Sequence, residues 1–175
     1  MKSIVLYRSK YGSTKNYAQW IADELSCEAV DAKGFDIENL KDYDTIIYGG
    51  GLYAEIIAGV SLITKNIDKL ADKKLIVFTT GLTPTDLRDY YDGMVLEKNF
   101  KNGSKDKVKI FNFPGKMVYK ELSLVHRTAI KTLQTIMSKK ENPSDMEKML
   151  VNLCDIDADL SDKNLIAELI EYARA

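Results

Sequence analysis

The 175-residue sequence contains few of the residues on which metal sites and hydrolytic active sites depend. It has one histidine, His126, three prolines and two widely separated cysteines, Cys27 and Cys154. A single histidine without a paired cysteine motif argues against the usual zinc sites and against a Ser-His-Asp triad. No metal site is expected, and His126 is interpreted as a packed or solvated side chain rather than as a catalyst.

The sequence also lacks a long apolar segment and a large net charge. No apolar run approaches the roughly 20 residues that span a bilayer, and Arg8 interrupts the N-terminal apolar stretch too early for a signal peptide. Two isolated cysteines are typical of a reducing compartment, so the cytoplasm is the expected location. A formal net charge of −1, without any recognition motif, argues against nucleic-acid binding.

Charge is nevertheless unevenly distributed along the chain. Residues 101–140 hold ten lysines and arginines against two acids, and residues 141–175 hold nine acids against three bases. Lys120, Arg127 and Lys131 would share one side of a helix in the basic segment. That side could attract an anionic partner or support peripheral contact with a membrane, or it could be a solvated outer face. These alternatives stay open, as does the oligomeric state.

Short apolar runs alternate with helical patterns along the chain, which predicts an α/β protein. Buried strands are expected over residues 3–7, 28–31, 45–48, 74–79 and 108–113. Helices are expected over residues 14–25, 56–70, 85–99, 121–139 and 162–173, with Thr85 or Asp86 as a cap. The apolar faces of the last two helices comprise Leu122, Val125, Ala129, Leu133 and Ile136, and then Leu165, Leu169 and Tyr172.

This alternation predicts a doubly wound parallel sheet of five strands in the order 2-1-3-4-5, covered by helices on both faces. The expected architecture is therefore a three-layer α/β/α sandwich. One domain over residues 1–175 is expected, with residues 141–175 as its C-terminal helical extension. Ligands of such sheets bind beyond the carboxyl ends of the strands, where the strand order reverses, here between strands 1 and 3.

The loop after the first strand has the composition of a phosphate cradle. It consists of Ser9, Lys10, Tyr11, Gly12, Ser13 and Thr14 and opens a helix. Hydroxyl groups, lysine charge and the free N–H groups of a helix N-terminus all favour an anionic oxygen. The alternative is an ordinary helix start with incidental hydroxyls.

Two further loops would enclose a flat ligand. The loop after the third strand contains Gly50, Gly51, Leu52, Tyr53 and Ala54, and its glycines let the backbone pass close to a ring. Tyr53 could stack on such a ring, or Leu52 could provide the apolar contact. The loop after the fourth strand would form the other wall with Thr79, Thr80, Gly81 and Leu82.

The first loop resembles that of the flavodoxin superfamily, in which the pattern [ST]-x-[ST]-G-x-T surrounds an FMN phosphate. Ser9, Gly12 and Thr14 match the pattern, and Tyr11 stands where a smaller hydroxyl residue is usual. The YGGGLY stretch at 48–53, the FPGK stretch at 113–116 and the basic helix after it resemble one branch more closely. That branch contains the quinone-dependent protoporphyrinogen dehydrogenases and their flavodoxin-domain relatives.

The resemblance implies a redox protein in which the three loops bind FMN and the flavin carries the chemistry. It further implies an oxidoreductase of the protoporphyrinogen dehydrogenase (quinone) type, acting on a quinone or porphyrinogen-like small molecule. Two alternatives remain: an electron carrier between redox partner proteins, and a cofactor-free interaction module. No catalytic side chain is assigned, because the flavin does not require one.

Overall fold

The structure, a computed structural model, describes residues 2–101, 103–143, 147–148, 151 and 157–175. Its central sheet contains five parallel strands in the order β2-β1-β3-β5-β6. They are β1 (Ser3–Arg8), β2 (Glu28–Asp31), β3 (Thr45–Tyr53), β5 (Lys74–Gly81) and β6 (Lys109–Pro114). The predicted order 2-1-3-4-5 is confirmed, and among the described residues the sheet gains one two-residue strand, β4 (Ile56–Ile57), beside β3.

Apolar side chains alternate between the two faces of the sheet, and each face is covered by helical segments. On one face, α1 (Ser13–Leu25) and α5 (Ala167–Arg174) pack on a cluster that includes Val5, Ile47 and Phe78. On the other face, a 3₁₀ turn, a π-helix and two short helices supply Leu40, Ile63 and Val95 to a second cluster. These four elements are Ile37–Leu40, Tyr90–Val95, α2 (Ser61–Thr64) and α3 (Leu96–Asn99). The predicted three-layer α/β/α arrangement is therefore confirmed.

Most of the remaining elements follow β6 in the chain. A small antiparallel pair joins β7 (Lys116–Met117) to β8 (Ala158–Asp159), and the helix α4 (Leu124–Ser138) lies between them in the chain. Three more 3₁₀ turns are Ser104–Lys107, Tyr119–Glu121 and Lys163–Ile166. No helix in the described ranges is long and apolar enough to cross a membrane.

The helix predicted over residues 56–70 is wrong in its first part. β3 continues to Tyr53 and turns back into β4 through Ala54 and Glu55, which have positive φ angles of 47° and 63°. Two positive φ angles in a two-residue loop are those of a type I′ hairpin turn. Gly59, with φ of 72°, separates β4 from the helical turns that follow, of which only α2 is an α-helix.

The helix predicted over residues 85–99 begins later than expected. Thr85 and Asp86 lie in a turn, and neither side chain caps the helical segment. The segment instead consists of the π-helix Tyr90–Val95 followed by α3. A π-helix is rare and frequently lies at a functional site. Here its first residue, Tyr90, is half-buried at the edge of the cavity described below.

Helix α4 confirms the helix predicted over residues 121–139, but of its predicted apolar face only Leu122, which precedes the helix, is buried. The Ser123 side chain caps α4 by accepting a hydrogen bond from the His126 N–H. No residue of α4 is buried, and Val125 and Ile136 are 74% and 63% exposed. The sheet face beside Phe113 is instead filled by Ile166, Leu169 and Ile170. The expectation was wrong because α5, and not α4, occupies that place.

The last helix is confirmed as an element, but its buried face differs from the predicted one. Leu169 is buried as expected, whereas Leu165 and Tyr172 are exposed. Ile166, Ile170 and Ala173 are buried in their place. The shift follows from the start of α5 at Ala167, since Leu165 lies in the preceding 3₁₀ turn, which has three residues per turn. Cys154, by contrast, lies outside the described residues.

Candidate functional site

A cavity of about 360 Å³ lies at the carboxyl ends of β1, β3 and β5, where the reversal of strand order predicts a ligand. The structure brings eleven of the predicted site residues to its wall: Ser9, Tyr11, Ser13, Thr14, Gly51, Leu52, Tyr53, Ala54, Thr80, Gly81 and Leu82. Four others belong to the same loops but do not line the cavity: Lys10, Gly12, Gly50 and Thr79. The cavity is thus built from the three loops that the sequence indicates.

The N-terminus of α1 forms one end of this cavity. Gly12 precedes the helix with φ of 99°, a left-handed conformation that favours glycine. No side chain caps the helix, and its first backbone bond runs from the Asn16 N–H to the Gly12 carbonyl. The N–H groups of Ser13, Thr14 and Lys15 therefore have no intrahelical acceptor and can donate to an anion.

The hydroxyl groups around this helix end keep protons that they can donate. Ser9 Oγ accepts a hydrogen bond from the Gly12 N–H over 3.1 Å, and Ser13 Oγ accepts one from the Lys116 N–H over 2.8 Å. Thr14 Oγ1 and Thr80 Oγ1 are 2.7 Å apart and share one hydrogen bond in a buried position. Both serines have an O–H left to donate, and so does one of the two threonines.

Close contacts within the protein, as well as the cavity, require the three glycines in the second half of β3. A Cβ atom on Gly49 would overlap the Phe78 ring, and one on Gly50 would lie 2.8 Å from the Ala58 carbonyl oxygen. A Cβ atom on Gly51 would lie 3.0 Å from the Tyr53 ring. Packing therefore accounts for Gly49 and Gly50, and of the three glycines Gly51 alone lines the cavity.

The side walls of the cavity are mostly apolar or aromatic. Leu52 and Tyr53 come from β3, and Leu82 and Tyr90 come from the segments after β5. Tyr53 is half-buried, and burial, reinforced by the nearby Tyr11, raises the pKa of its hydroxyl to about 12. A neutral, half-buried aromatic ring at the mouth of a narrow cavity suits contact with a planar ligand.

Helix α4 and the segment before it form a wall that the sequence interpretation did not predict. Its members are Gly115, Lys116, Met117, Leu122, His126, Ala129 and Ile130, whereas Thr83 and Tyr90 line the cavity from the segments after β5. The sequence contains two features of this wall, the FPGK stretch and the periodic apolar residues of the helix. Neither of them indicates that the helix crosses the carboxyl edge of the sheet.

The tip of the first loop is joined to α4 by a cluster of polar and aromatic side chains. Tyr11 Oη lies 2.7 Å from His126 Nδ1 and accepts a hydrogen bond from the Ser123 N–H over 3.3 Å. Lys10 Nζ donates to Ser123 Oγ over 3.2 Å. The Tyr53 ring centroid lies 5.0 Å from that of His126, which places three aromatic rings at this corner of the cavity.

Tyr11 therefore does not act as a small hydroxyl residue would at this position of the loop, because its Oη reaches α4. Burial alone would raise the pKa of the Tyr11 hydroxyl, but hydrogen bonds with Ser123 and the Lys10 charge lower it overall. Burial and the Lys10 charge lower the pKa of His126. The described residues contain no group of three His, Cys, Asp or Glu side chains that could bind a metal ion.

Comparison with known proteins gives the family to which this site belongs. The sequence profile described as "Flavodoxin domain" matches residues 4–146, most of the chain. The chain belongs to the flavodoxin domain family. The match is to this family as a whole and does not single out the protoporphyrinogen dehydrogenase branch. No curated protein matches the sequence.

Solved structures similar to this flavodoxin-domain protein include oxidised flavodoxin 2 from Bacillus cereus, at 17% identity and TM-score 0.44, covering 88% of this chain and 95% of that one. A WrbA-like flavodoxin from Agrobacterium tumefaciens shows 16% identity and TM-score 0.48, with 98% of each chain covered. Both TM-scores lie below 0.5, so no conclusion about function follows from either similarity.

Membership of the flavodoxin family implies a flavin cofactor, of which FMN is the typical one. The chemistry of the cavity fits this group. FMN carries a phosphate at one end and a flat aromatic ring system at the other. The uncapped end of α1 and its hydroxyls provide the donors that a phosphate requires. The apolar and aromatic walls suit the ring.

Proposed function

We propose that this protein is an FMN-dependent oxidoreductase that exchanges two electrons with a quinone or a porphyrinogen-like small molecule. The observation that carries the proposal is one cavity with two kinds of wall. Donors of the first loop lie at one end, and apolar and aromatic side chains of β3, of the segments after β5 and of α4 lie around the rest. Membership of the flavodoxin family supports the redox part of the proposal.

In this proposal Ser9, Ser13 and Thr14 hold the FMN phosphate together with the first N–H groups of α1. Leu52, Tyr53 and Leu82 contact the ring, and bound FMN supplies the electron transfer. Because hydrogen bonds to a charged group contribute about 1.5–3 kcal/mol, loss of one such donor would weaken FMN binding roughly 10- to 100-fold.

Helix α4 supports an enzyme rather than a carrier. Leu122, Ala129 and Ile130 bring an apolar wall over the cavity from outside the three loops. Such a wall would cover a planar apolar substrate and exclude water from it. The YGGGLY and FPGK stretches, which resemble those of quinone-dependent protoporphyrinogen dehydrogenases, indicate the same class of substrate.

The surface of α4 favours electron transfer to a protein partner as a second candidate function. Leu124 and Val125 are 78% and 74% exposed on α4, which also carries Arg127 and Lys131. An exposed apolar patch next to positive charge is typical of a docking surface for an acidic partner. An electron carrier would use this surface to bring a redox protein close to the cofactor.

Titration of the purified protein with FMN, followed by visible absorbance and gel filtration, tests the cofactor. Co-elution of flavin with the protein is expected, with a roughly 10-fold or greater loss of affinity in Thr14→Val. Thr128→Val, an exposed threonine of α4, is the matched control and should bind FMN normally. A protein that stays colourless in excess FMN would contradict the proposal and leave the cofactor-free interaction module.

Turnover separates the two redox candidates. Rapid reduction of menadione by the FMN-loaded protein, after its flavin has been reduced with dithionite, is expected of the enzyme, with a rate that saturates with menadione concentration. A carrier would instead show no saturation with small quinones. It would lose electron transfer to a protein acceptor when Val125 is replaced by glutamate.

A further inference from the structure

The direction of the hydrogen bond between Tyr11 and His126 depends on which nitrogen of His126 carries the proton, and the other contacts of Tyr11 favour one tautomer. The Ser123 N–H donates to the Tyr11 oxygen over 3.3 Å, so that oxygen is an acceptor on one side. Its own proton has two acceptors within reach: His126 Nδ1 at 2.7 Å and Ser123 Oγ at 3.5 Å. The shorter contact takes the proton, since a hydrogen bond at 3.5 Å is weak.

His126 Nδ1 therefore accepts, and the neutral ring carries its proton on Nε2. Within the described part of the chain Nε2 has no hydrogen-bond partner, and His126 lines the cavity. Burial and the Lys10 charge lower the pKa of the ring, which keeps it neutral at pH 7. The result is an unpaired N–H donor at the wall of the proposed flavin site.

The surroundings of His126 maintain this arrangement. Lys10 and Tyr11 face the ring from the first loop, Tyr53 faces it from β3, and Ser123 lies one turn earlier on its own helix. No carboxylate interacts with His126 among the residues that the structure describes. An acidic neighbour would favour the charged ring and a second proton, so its absence here favours the single Nε2–H.

From this geometry we infer that His126 is a catalytic residue that donates a proton from Nε2 to the oxygen of a quinone substrate, with Tyr11 as the group that replaces the proton. The inference rests on the proposed function, and it adds a side chain to a reaction that a flavin could otherwise carry alone.

Reduction of a quinone to a hydroquinone takes up two electrons and two protons. Reduced FMN held by the three loops would supply both electrons and one proton as a hydride equivalent. The second proton leaves His126 Nε2 as an O–H bond forms on the substrate, and the Tyr11 proton moves to Nδ1. Once the product has left, Nδ1 returns its proton to the Tyr11 oxygen and Nε2 takes a proton from water, which restores the starting tautomer.

The structure stabilises the negative charge that this transfer leaves on Tyr11. The Ser123 N–H already donates to the Tyr11 oxygen, and Lys10 Nζ lies 5.4 Å from the centroid of the Tyr11 ring. These contacts and the Lys10 charge lower the pKa of the Tyr11 hydroxyl despite its burial. A tyrosine with a lowered pKa is a better temporary proton source than an isolated one.

Two electron acceptors with different proton requirements test the inference. The FMN-loaded protein is reduced without oxygen and mixed with menadione, which needs protons, or with ferricyanide, which takes single electrons without protons. General-acid catalysis contributes about 10²–10⁴-fold, so His126→Gln should slow the menadione reaction roughly 100-fold or more. The ferricyanide rate and the affinity for FMN should stay unchanged. Tyr11→Phe should give an intermediate loss with menadione alone.

Glutamine is informative because it keeps an N–H donor but cannot transfer a proton. Menadione reduction at the wild-type rate in His126→Gln would overturn the inference and reduce His126 to a hydrogen-bonding wall residue. Equal loss with both acceptors would also overturn it, since the variant would then act on the flavin. Thr128→Gln, two residues along α4, is the matched control and should react with both acceptors at the wild-type rate.

A second measurement does not depend on turnover. Nitrogen-15 spectra of the imidazole should show Nε2 protonated and Nδ1 unprotonated in wild type, and a mixture of the two tautomers in Tyr11→Phe. A proton on Nδ1 in wild type would overturn the inference. Failure of the wild-type protein to bind FMN would instead reject the proposed function, whatever tautomer the spectra show.

Discussion

The side-chain oxygen of Asn99 accepts a hydrogen bond from the backbone N–H of Ile57 over 2.9 Å, across 42 positions of sequence. The nitrogen of the same amide donates to the carbonyl oxygens of Glu55 at 2.6 Å and Val95 at 2.7 Å. Asn99 therefore fastens the β3–β4 hairpin to α3. Tyr53 lies in the same hairpin, so this amide helps to fix one wall of the cavity.

Replacing Asn99 by alanine should lower the free energy of unfolding by about 2–3 kcal/mol, because three hydrogen bonds are lost and half-buried backbone groups are left without partners. Urea denaturation measures the change. Asn66→Ala is the matched control, since Asn66 Nδ2 makes one bond, to the Leu62 carbonyl at 2.9 Å. That control should lose about 1 kcal/mol or less. Equal losses in the two variants would contradict the special role of Asn99.

Gly12→Ala should destabilise the protein by about 1–2 kcal/mol, because φ of 99° is unfavourable for a residue with a Cβ atom. No atom lies within 4 Å of the added Cβ, so the cost comes from the backbone alone. The same change should weaken FMN binding by shifting the first turn of α1. Gly93→Ala also meets no neighbour and lacks a positive φ, and because Gly93 lies within the π-helix this variant should be as stable as wild type or more stable by up to about 1 kcal/mol. Thermal or urea unfolding of both variants compares the two effects.

Stability should decrease as the pH rises from about 10 towards 12, in part through Tyr53. The pKa of its hydroxyl is raised from 10.0 to about 12 by burial and by Tyr11. Between these values the unfolded chain has lost the Tyr53 proton and the folded chain has kept it, so higher pH favours unfolding. Burial raises the pKa of Tyr48 and Tyr91 in the same direction.

Urea unfolding at several pH values between 8 and 11, in wild type and Tyr53→Phe, checks this contribution. The variant should lose less unfolding free energy over the alkaline range, because phenylalanine has no proton to lose. Parallel decreases in the two proteins would show that Tyr53 titrates normally. Saturating FMN should shift the onset of the decrease to higher pH if the ring buries Tyr53 further.

Helix α4 should tolerate changes on its apolar face that the core does not tolerate. Ile136 is 63% exposed, so Ile136→Ala should change the free energy of unfolding by no more than about 0.5 kcal/mol. Leu169→Ala, in the fully buried face of α5, should cost about 2–5 kcal/mol. Urea unfolding of the two variants compares them directly. A large loss in Ile136→Ala would show that α4 packs against the domain through that face.

The three central strands β1, β3 and β5 follow from the sequence because each is a short apolar run that is mostly buried, whereas the edge strands β2 and β6 are partly exposed and give a weaker pattern. The hairpin after β3 does not follow from the sequence, since Ala54 and Glu55 are not residues that usually adopt left-handed conformations. Alanine and glutamate favour helices, so residues 54–57 carry a misleading local preference. Tertiary contacts such as the Asn99 amide override it.

The candidate site likewise has one part that the sequence predicts and one part that it does not. The three loops could be predicted because the reversal of strand order fixes where the carboxyl ends of parallel strands meet. The contribution of α4 could not, because His126 meets Tyr11 across 115 positions of sequence. Helical periodicity shows that a helix has an apolar face but not which neighbour covers it. The sequence therefore predicts neither the exposure of Val125 nor the position of His126 beside the cavity.

The hydrogen bond between Thr14 and Thr80 can be drawn in two directions, because either hydroxyl can be the donor. In the protein alone the contact itself fixes neither direction, which leaves the orientation of the pair open. An anionic oxygen that accepts from Thr14 fixes it: Thr80 must then donate to Thr14, and Thr14 to the anion. A ligand at the end of α1 would thus set the polarity of a bond that reaches β5, and hydrogen exchange or infrared spectra of the hydroxyls would register its arrival.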